Sequence, residues 1–453
     1  MANTFITRTP SSTTDTQRKQ FTISMWVKRS SLGTGGGHQE VVSAYSTDQF
    51  GFRFDGNNKL DIFEYSVSGN TYPLRLTTNR LFRDVNAWYH IVLQVDTPNA
   101  TSSNRAKLYI NGVQETSFAT ANYPSQDLTL TWNKNGLHQI ASKAWGNSGN
   151  GENFFDGLIS HFHNIAGTAY DASAFGETDA TTGEWKIKTS PSVTYGTNGF
   201  FILKDSGSVT DQSGNSNNFT VAGGTLTNTE DSPSNVFATL NAIQESPANN
   251  SLSNGNTTST NDGSASGHKL RVATLGASSG KYYAEFKLPN GGSNYAWCGI
   301  ISYDDFNNPD TYMGSSQNSI SYGSGGTVIR NDSTLSSQGE FSAIGSSTIL
   351  QVAVDLDNNY IYFGIDGTYV NSGNPTSGGS GTGGYSINFS AGKTYTFGVS
   401  GNNTGATWNC NFGNGYFGTT AVSSAGTNAS GIGIFEYDVP TGFTALSTKG
   451  LNL

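Results

Sequence analysis

A short segment rich in oxygen-bearing side chains is the first place in this sequence where chemistry is expected. Asp211, Asn215 and Asn217 lie close together, and Gly214 allows a turn between them. Carboxylate and amide oxygens on a flexible loop are the ligands that Ca²⁺ prefers. The same residue types also form turns in which each side chain binds nearby backbone groups. The spacing leaves both interpretations open, a calcium site or a self-contained turn, and it predicts no other cofactor.

Two tryptophans have a sequence setting that is typical of ligand contact. Trp132 and Trp145 fall in predicted loops, flanked by Asn, Lys, Gly and His. Loops lie at the surface, and an exposed indole offers a flat apolar face with a polar N–H beside it. We therefore predict that these two residues stack on a sugar ring; the alternative is that they only pack their own loops. Trp297 falls on a predicted strand instead, and we expect it to lie in the core.

The acidic residues are not arranged as glycan hydrolysis requires. A glycosidase holds two carboxyl groups about 5 to 9.5 Å apart across a cleft. Glu285 stands alone on its predicted strand, and Glu40 and Glu152 fall in different segments. No Gly-x-Ser-x-Gly elbow between a predicted strand and a predicted helix, the mark of a serine hydrolase, appears either. We expect no enzymatic activity.

Histidine and cysteine give weaker signals. His161 and His163 are two residues apart on a predicted strand, a spacing that would allow metal binding, but no third ligand is evident. A polar sheet face is the favoured interpretation. Cys298 and Cys410 are too few for a disulfide framework, so two buried thiols are favoured and a single bridge remains open.

Alternation of apolar and polar residues predicts the elements that carry these side chains. A period of two marks a half-buried strand, and Asn-Gly or Asp-Asn-Asn between two such runs marks a hairpin. Asp355 and Asp357 flank such a turn, and we expect them to form it. One short helix is predicted over residues 171–184. The strongest predicted strands, some of them hairpin pairs, cover residues 21–29, 40–45, 50–54, 59–63, 74–76, 88–96, 107–113, 155–163, 199–204, 280–288, 349–367 and 395–399.

The composition fits two all-β domains. Glycine reaches 56 of 453 residues, and charged residues are only 13%, about half the usual share. The 26 Phe and 21 Tyr supply enough apolar surface for real cores. We predict two antiparallel, jelly-roll-like β-sandwiches in tandem, over residues 1–240 and 241–453, with the division in an Asn- and Ser-rich stretch.

Charge and hydropathy exclude several partners. A net charge of −9 with 24 basic residues disfavours nucleic acid, because phosphate neutralisation needs clustered Lys and Arg. The sequence contains no run of about 18 apolar residues, so it predicts no insertion into a membrane. The first ten residues lack the basic and apolar regions of a signal peptide, so synthesis in a cytoplasm is expected.

Each half of the sequence resembles a known protein family. The first half is similar to the laminin-G/pentraxin-type members of the concanavalin A-like jelly rolls, through residues 21–27, 88–92, 108–113 and 155–159. The second half resembles the SPRY (B30.2-like) sandwich, through residues 280–286, 299–301, 354–367, 411–413 and 440–446. These resemblances imply sandwich folds and leave the function open, since both folds host many functions.

A further resemblance concerns origin. Residues 5–10, 26–29 and 211–219 are similar to segments of proteins encoded by tailed phages. This resemblance implies a non-enzymatic virion protein, expected on a tail fibre or appendage, whose loops attach to a host-surface glycan. The alternative is an architectural capsid-decoration or joining protein that binds only other virion proteins. Homo-oligomers are common in both settings.

Overall fold

The structure is a computed structural model that describes residues 3–33, 37–144, 146, 149, 151–204, 208–244, 249–262, 267–290, 295–337, 339–387, 392–402 and 405–453. Nearly all of its regular structure is β-strand, paired antiparallel apart from one short parallel pair. The all-β prediction is therefore confirmed. The chain divides into two compact units, Met1–Asn228 and Thr229–Leu453.

The division falls earlier than the predicted boundary between residues 240 and 241. Phe237, Ala238 and Leu240 lie at 2% exposure or less in apolar clusters of the second unit. Burying these side chains stabilises that unit, so the segment before the polar stretch belongs to the second sandwich and not to the first.

The first unit contains two large sheets. An eight-stranded sheet has the order β10-β6-β5-β4-β3-β11-β1-β16, and a six-stranded sheet has the order β15-β12-β2-β7-β8-β9. A hairpin of β13 and β14 forms a third, small sheet. The strands are β1 (Phe5–Arg8), β2 (Gln20–Arg29), β3 (Gln39–Tyr45), β4 (Gln49–Phe54), β5 (Lys59–Ser66), β6 (Thr71–Leu81), β7 (Trp88–Asp96), β8 (Ala106–Ile110), β9 (Val113–Glu115), β10 (Phe118–Asn122), β11 (Leu137–Ile140), β12 (Gly157–Ala166), β13 (Gly176–Thr178), β14 (Trp185–Ile187), β15 (Phe200–Ile202) and β16 (Thr220–Gly223).

In the first unit, the residues that alternate along a strand lie on opposite faces of the sheet. On β2, Phe21, Ile23 and Met25 are fully buried in the core, whereas Ser24 and Trp26 lie on the other face of the same sheet. The eight-stranded sheet supplies Phe50, Phe52 and Ile62 among others to the same core. Each such side chain stabilises the unit by about 1.5–3 kcal/mol relative to exposure.

The short helices differ from the prediction. Residues 171–184 contain a 3₁₀ turn, Ala172–Ala174, followed by the β13–β14 hairpin, so the predicted helix there is wrong. Phe175 is buried in a cluster with Ile165, and Trp185 of this hairpin packs against that cluster. Within the described residues the one α-helix, α1, is Asp15–Lys19; it begins after Thr14, whose side chain accepts a hydrogen bond from the Gln17 backbone N–H.

The second unit repeats the two-sheet plan. Its larger sheet follows the path β17-β18-β30-β20-β25-β26-β27, with β28 beside β26 and β33 parallel to β20. Its smaller sheet has the order β19-β29-β21-β22-β23-β24, and β31 pairs with β32. The strands are β17 (Asn250–Ser253), β18 (Thr258–Asn261), β19 (Lys269–Val272), β20 (Lys281–Asn290), β21 (Ala296–Ser302), β22 (Ser319–Gly323), β23 (Thr327–Arg330), β24 (Ser333–Thr334), β25 (Ile349–Asp355), β26 (Tyr360–Ile365), β27 (Thr368–Tyr369), β28 (Tyr385–Ser386), β29 (Tyr395–Gly401), β30 (Thr407–Asn411), β31 (Tyr416–Phe417), β32 (Thr420–Ala421) and β33 (Thr444–Ala445).

The β25–β26 hairpin shows how local chemistry sets the register of this unit. The Asp355 carboxylate accepts hydrogen bonds from the Asn358 backbone N–H and side-chain amide, at 2.9 and 2.8 Å, which closes the turn. Lys281 on β20 adds an ion pair at 2.9 Å. The predicted turn-forming role of Asp355 is therefore confirmed.

Candidate functional site

The proposed calcium loop is built as a self-contained turn. Both oxygens of Asp211 accept hydrogen bonds, Oδ1 from the Phe201 and Ser213 backbone N–H groups and Oδ2 from the Ser213 hydroxyl and the Asn217 backbone N–H, at 2.8–2.9 Å. Donors point at this carboxylate from several directions, which is the opposite of what a cation needs.

The side-chain amides of the neighbouring asparagines are also engaged in hydrogen bonds within the protein. The Asn215 amide donates to the Gly196 carbonyl at 2.7 Å, and the Asn217 amide donates to the Gly199 carbonyl at 2.7 Å. The Arg8 guanidinium donates to the Asn217 side-chain oxygen and brings a positive charge to the loop. Among the residues that the structure describes, no group of three or more His, Cys, Asp or Glu side chains is placed to hold a metal ion. The geometry favours the turn over the calcium site.

Trp132 is not a surface platform. Its side chain is fully buried in the first core, against Phe50 and His138 at ring-centroid distances of 5.6 and 4.6 Å. Its indole N–H donates to the Asn164 side-chain oxygen at 2.9 Å. The expectation of an exposed stacking surface therefore does not hold for Trp132. Trp145, the second predicted platform, lies outside the described residues.

His163 and the two cysteines have structural surroundings. His163 stacks on Phe201 at 3.9 Å, shares a hydrogen bond of 2.9 Å with the Tyr195 hydroxyl, and burial lowers its pKa well below the usual value. A register shift between Ser160 and His163 breaks the simple alternation expected there. Cys298 and Cys410 are buried free thiols on different sheets of the second unit, as favoured from the sequence.

The outer face of the eight-stranded sheet carries a charge cluster that was not predicted. Asp61 on β5 is 1% exposed, and its carboxylate accepts from Arg53 on β4 at 3.0 and 3.2 Å. Arg75 on β6 donates to the same carboxylate at 3.0 and 3.2 Å, and the Thr77 hydroxyl donates at 2.7 Å. Two guanidinium forks thus fix one carboxylate, an arrangement with strong directionality.

Aromatic rings surround these arginines. The Arg53 guanidinium carbon lies 4.5 Å from the Phe63 ring centroid, and that of Arg75 lies 4.7 Å from Tyr72. Tyr72 packs against Tyr65 at 5.0 Å. Cation–π contact of this kind holds the arginine side chains in place. The sheet-face cluster is defined as Arg53, Asp61, Phe63, Tyr65, Tyr72, Arg75 and Thr77.

The sheet-face cluster has hydrogen-bond donors that no protein group in the described part of the chain occupies. The Nη1 groups of Arg53 and Arg75 make no hydrogen bond within the described residues, and the Arg75 side chain is 31% exposed. Tyr65 and Tyr72 are half-buried, so part of each ring reaches solvent. Two arginines against one aspartate give a local charge of +1 in a chain whose net charge is −9.

A second carboxylate lies on the same face of the sheet. Glu40 on β3 pairs in register with Arg53, is fully buried, and neither carboxylate oxygen has a hydrogen-bond partner in the described residues. Burial raises the pKa of Glu40 to about 7, opposed by Arg53 and Lys143. The Glu40 carboxylate and the Phe63 ring share the space above Gly51, which has no side chain to fill it.

Substitution of Gly51 by alanine is expected to destabilise the first unit. The new Cβ would lie 2.2 Å from Phe63 Cζ and 2.6 Å from Glu40 Oε1, so both must move. Overpacking of this kind costs about 1–3 kcal/mol. Urea unfolding of the full chain, followed by hydrogen exchange of peptides from β4 and β5, measures the effect. Gly69→Ala, whose Cβ would have no contact closer than 3.3 Å, should change little; equal behaviour of the two variants would contradict the packing argument.

A signal for the sheet-face cluster is present in the sequence. Arg53, Asp61 and Arg75 are charged residues flanked by apolar neighbours in three consecutive predicted strands. On adjacent antiparallel strands such positions share one face, where opposite charges attract. The complementary charges on consecutive predicted strands were the signal for this cluster, and the prediction did not use them.

For Trp132 the signal was the alternation of Leu128, Leu130 and Trp132, because a period of two indicates an extended segment with one buried face.

The second unit has its own buried carboxylate. Glu285 on β20 accepts from the backbone N–H groups of Glu436 and Tyr437, both at 2.8 Å, and from the Tyr283 hydroxyl at 2.9 Å. Its oxygens thereby attach the chain near residue 436 to the larger sheet, and burial raises its pKa to about 7. Because both of its oxygens accept backbone hydrogen bonds that serve this attachment, Glu285 has a structural role.

Comparison with known families agrees with this architecture. A laminin-G family model of the concanavalin A-like lectin/glucanases superfamily matches residues 6–173, a segment within the first unit. The match supports a lectin-like sandwich there, as the resemblance in the sequence implied. None of the curated proteins matches the chain.

Solved structures similar to the chain include other β-sandwich proteins. A human SPRY domain is 13% identical, covers 36% of this chain and 94% of its own, with a TM-score of 0.29. The SPRY domain of human HERC1 is 15% identical and covers 36% and 91%, with a TM-score of 0.27. A heptameric SAP-like pentraxin from Limulus polyphemus is 13% identical and covers 37% and 78%, with a TM-score of 0.25.

No helix in the described part of the chain is long and apolar enough to cross a membrane.

Proposed function

We propose that this chain is a non-enzymatic attachment protein of a tailed-phage virion, on a tail fibre or appendage, and that it binds a host-surface glycan through the sheet-face cluster. The lectin-like sandwich of the first unit supports a binding function. The proposal for a virion rests on the segments that resemble tailed-phage proteins, and it places the chain in contact with other virion proteins.

One observation carries the choice of site. Two arginines fixed by Asp61 each retain an unused Nη1 group, and Arg75 lies beside the half-buried ring of Tyr72, which packs on Tyr65. A pyranose ring packs on aromatic faces, and a guanidinium binds a carboxylate or sulfate through paired N–H groups. Since the local charge is +1, the site favours an acidic sugar over a neutral one.

The state of the acidic residues supports binding without hydrolysis. Both Asp61 oxygens accept from arginine, so this carboxylate is not available as a base or nucleophile. Glu40 is fully buried and has no open path to a substrate on the sheet face. Hydrolysis of a glycosidic bond needs two accessible carboxyl groups.

The test compares two arginines of the same strand on a glycan array that contains neutral and acidic sugars. Arg75→Gln removes a guanidinium from the cluster. Arg80→Gln removes the same charge about 16 Å further along β6, where Arg80 pairs with Glu115 at 2.8 Å. We expect wild-type protein and Arg80→Gln to bind acidic glycans alike, and Arg75→Gln to bind at least about tenfold more weakly.

Two other results would overturn the proposal. Equal loss in both variants would mean that overall charge, and not the cluster, governs binding. Absence of binding to every glycan, combined with binding to purified virion particles that lack this protein, would favour the architectural alternative, a capsid-decoration or joining protein. Release of shortened glycans during incubation would contradict the non-enzymatic assignment.

A further inference from the structure

Three aromatic side chains form a second surface cluster, in the second unit. His268 precedes β19, Trp297 lies on β21, and Tyr312 lies in the loop before β22. Their ring centroids are 4.8 Å apart for His268 and Trp297, 5.0 Å for His268 and Tyr312, and 5.2 Å for Trp297 and Tyr312. All three are half-buried, so each ring keeps contact with solvent.

The strand places Trp297 on the outer face of its sheet. Ala296 and Cys298 are fully buried in the core, so Trp297 between them lies on the opposite face. The sequence had predicted a core position for Trp297, and the structure corrects this. Gly323 on β22 is its direct neighbour, and a Cβ there would lie 2.9 Å from the indole nitrogen, so the absence of a side chain makes room for the ring.

A carboxylate borders the aromatic rings. The Tyr312 hydroxyl donates to Asp332 Oδ1, and Asp332 is exposed. The Oδ2 atom of Asp332 makes no hydrogen bond within the described residues. One acceptor therefore remains beside the aromatic surface.

We infer that this cluster, His268, Trp297 and Tyr312 with Asp332, binds a neutral hexopyranose. The apolar face of a pyranose ring packs on an indole, and a carboxylate oxygen accepts hydrogen bonds from its hydroxyl groups. Asp332 gives the cluster a local charge of −1, which disfavours acidic sugars. The specificity is thus the reverse of that proposed for the sheet-face cluster.

This second site is independent of the proposed function. It lies in the other unit and uses different residues, so either site can bind when the other does not. The full chain carrying Arg75→Gln is therefore the variant that separates the two proposals.

The test is saturation-transfer difference NMR on the full chain, with methyl α-glucoside, methyl β-galactoside and N-acetylglucosamine as neutral probes and glucuronic acid as the acidic probe. Trp297→Leu removes the stacking surface. Asp332→Asn removes one charge while retaining a residue that tolerates the positive φ of 61° at this position. Asp304→Asn, an exposed position in the 3₁₀ turn Tyr303–Asp305 that follows β21, is the matched control.

We expect at least one neutral probe to bind the wild type, Asp304→Asn and Arg75→Gln equally. Trp297→Leu should abolish the signal, and Asp332→Asn should weaken binding about tenfold, equivalent to about 1.4 kcal/mol. If Trp297→Leu unfolds the unit, as hydrogen exchange of β21 would reveal, Asp332→Asn carries the test. Binding unchanged by Asp332→Asn, preference for glucuronic acid, or no binding of any probe would overturn the inference.

Discussion

Replacement of Asp61 by alanine is expected to lower the free energy of unfolding of the first unit by about 3 kcal/mol and to weaken binding of acidic glycans. The carboxylate is 1% exposed and accepts from Arg53, Arg75 and Thr77. Removing one member of a buried ion pair leaves charge that the fold has already desolvated and can no longer compensate. The estimate is below the usual maximum because both arginines reach solvent to some extent.

The weaker binding has a separate cause. Asp61 fixes the positions of Arg53 and Arg75, so without it each guanidinium regains rotational freedom. A ligand must then order both side chains on binding, which costs about 0.5–1.5 kcal/mol for each. Asp61 thus acts as a positioning residue, and glycan affinity should fall in the variant even under conditions where the unit remains folded.

Hydrogen exchange of peptides from β4, β5 and β6 measures the stability change in the full chain. Asp15→Ala is the control, because Asp15 is 72% exposed in its pair with Arg18 and should contribute less than about 1 kcal/mol. Thr77→Val removes only one hydrogen bond to Asp61 and should cost about 1 kcal/mol. An Asp61→Ala protein as stable as Asp15→Ala would show that the cluster contributes nothing to the fold.

Stability of the first unit is expected to be greatest near pH 6.5 and to fall by about 2 kcal/mol between pH 6.5 and about 8.5. Two buried carboxyl groups cause the fall. Burial raises the pKa of Glu64 to about 8, although hydrogen bonds from Thr131 act to lower it. Burial also raises the pKa of Glu40 to about 7. Their charged surroundings are Asp48 and Arg18 for Glu64, and Arg53, Lys143 and Asp61 for Glu40.

The sign follows from proton binding in the two states. Between their unfolded pKa near 4.5 and the raised folded value, these carboxyl groups hold more protons when the protein is folded, so stability decreases as pH rises. Three buried histidines act oppositely. Burial lowers the pKa of His90 to about 3 and of His138 to about 4, and that of His163 well below 6.5, so stability rises with pH until the unfolded histidines lose their protons.

The carboxyl contribution is isolated by Glu64→Gln. The amide oxygen can still accept from the Thr131 backbone N–H and hydroxyl, now at 3.0 and 2.5 Å from Glu64 Oε1. The urea midpoint of the first unit, measured from about pH 5 to about pH 9, should then lose most of its decline above pH 6.5. A decline of unchanged size in Glu64→Gln would assign it to other groups.

The strands of both units could be predicted because their signal is local. The predicted segment 88–96 coincides with β7, and the predicted segments 21–29 and 280–288 differ from β2 and β20 by one or two residues at their ends. Side chains alternate between two faces along any strand, so the pattern needs no knowledge of the partner. The turn chemistry of Asp355 and Asn358 is equally local and was predicted for the same reason.

The candidate sites were predicted less well because exposure is not a local property. Trp132 and Trp297 were assigned by their setting in a loop or a strand, and the structure reverses both: the loop residue is buried and the strand residue is partly exposed. A loop becomes buried when a distant segment closes over it, as Asn164 does by accepting the Trp132 indole hydrogen bond.

The sequence by itself determined that this protein consists of antiparallel strands with two sets of apolar faces, and that the loop at Asp211 would bond either to itself or to a metal ion. Only the tertiary structure decided that backbone N–H groups occupy the Asp211 oxygens, and that Arg53, Asp61 and Arg75 meet on one sheet face. The physical reason is the distance along the chain over which each kind of interaction acts. Alternation and turn formation involve neighbours in the chain, whereas burial, ion pairing and the spare donors of a binding site depend on which strands lie side by side and what covers them.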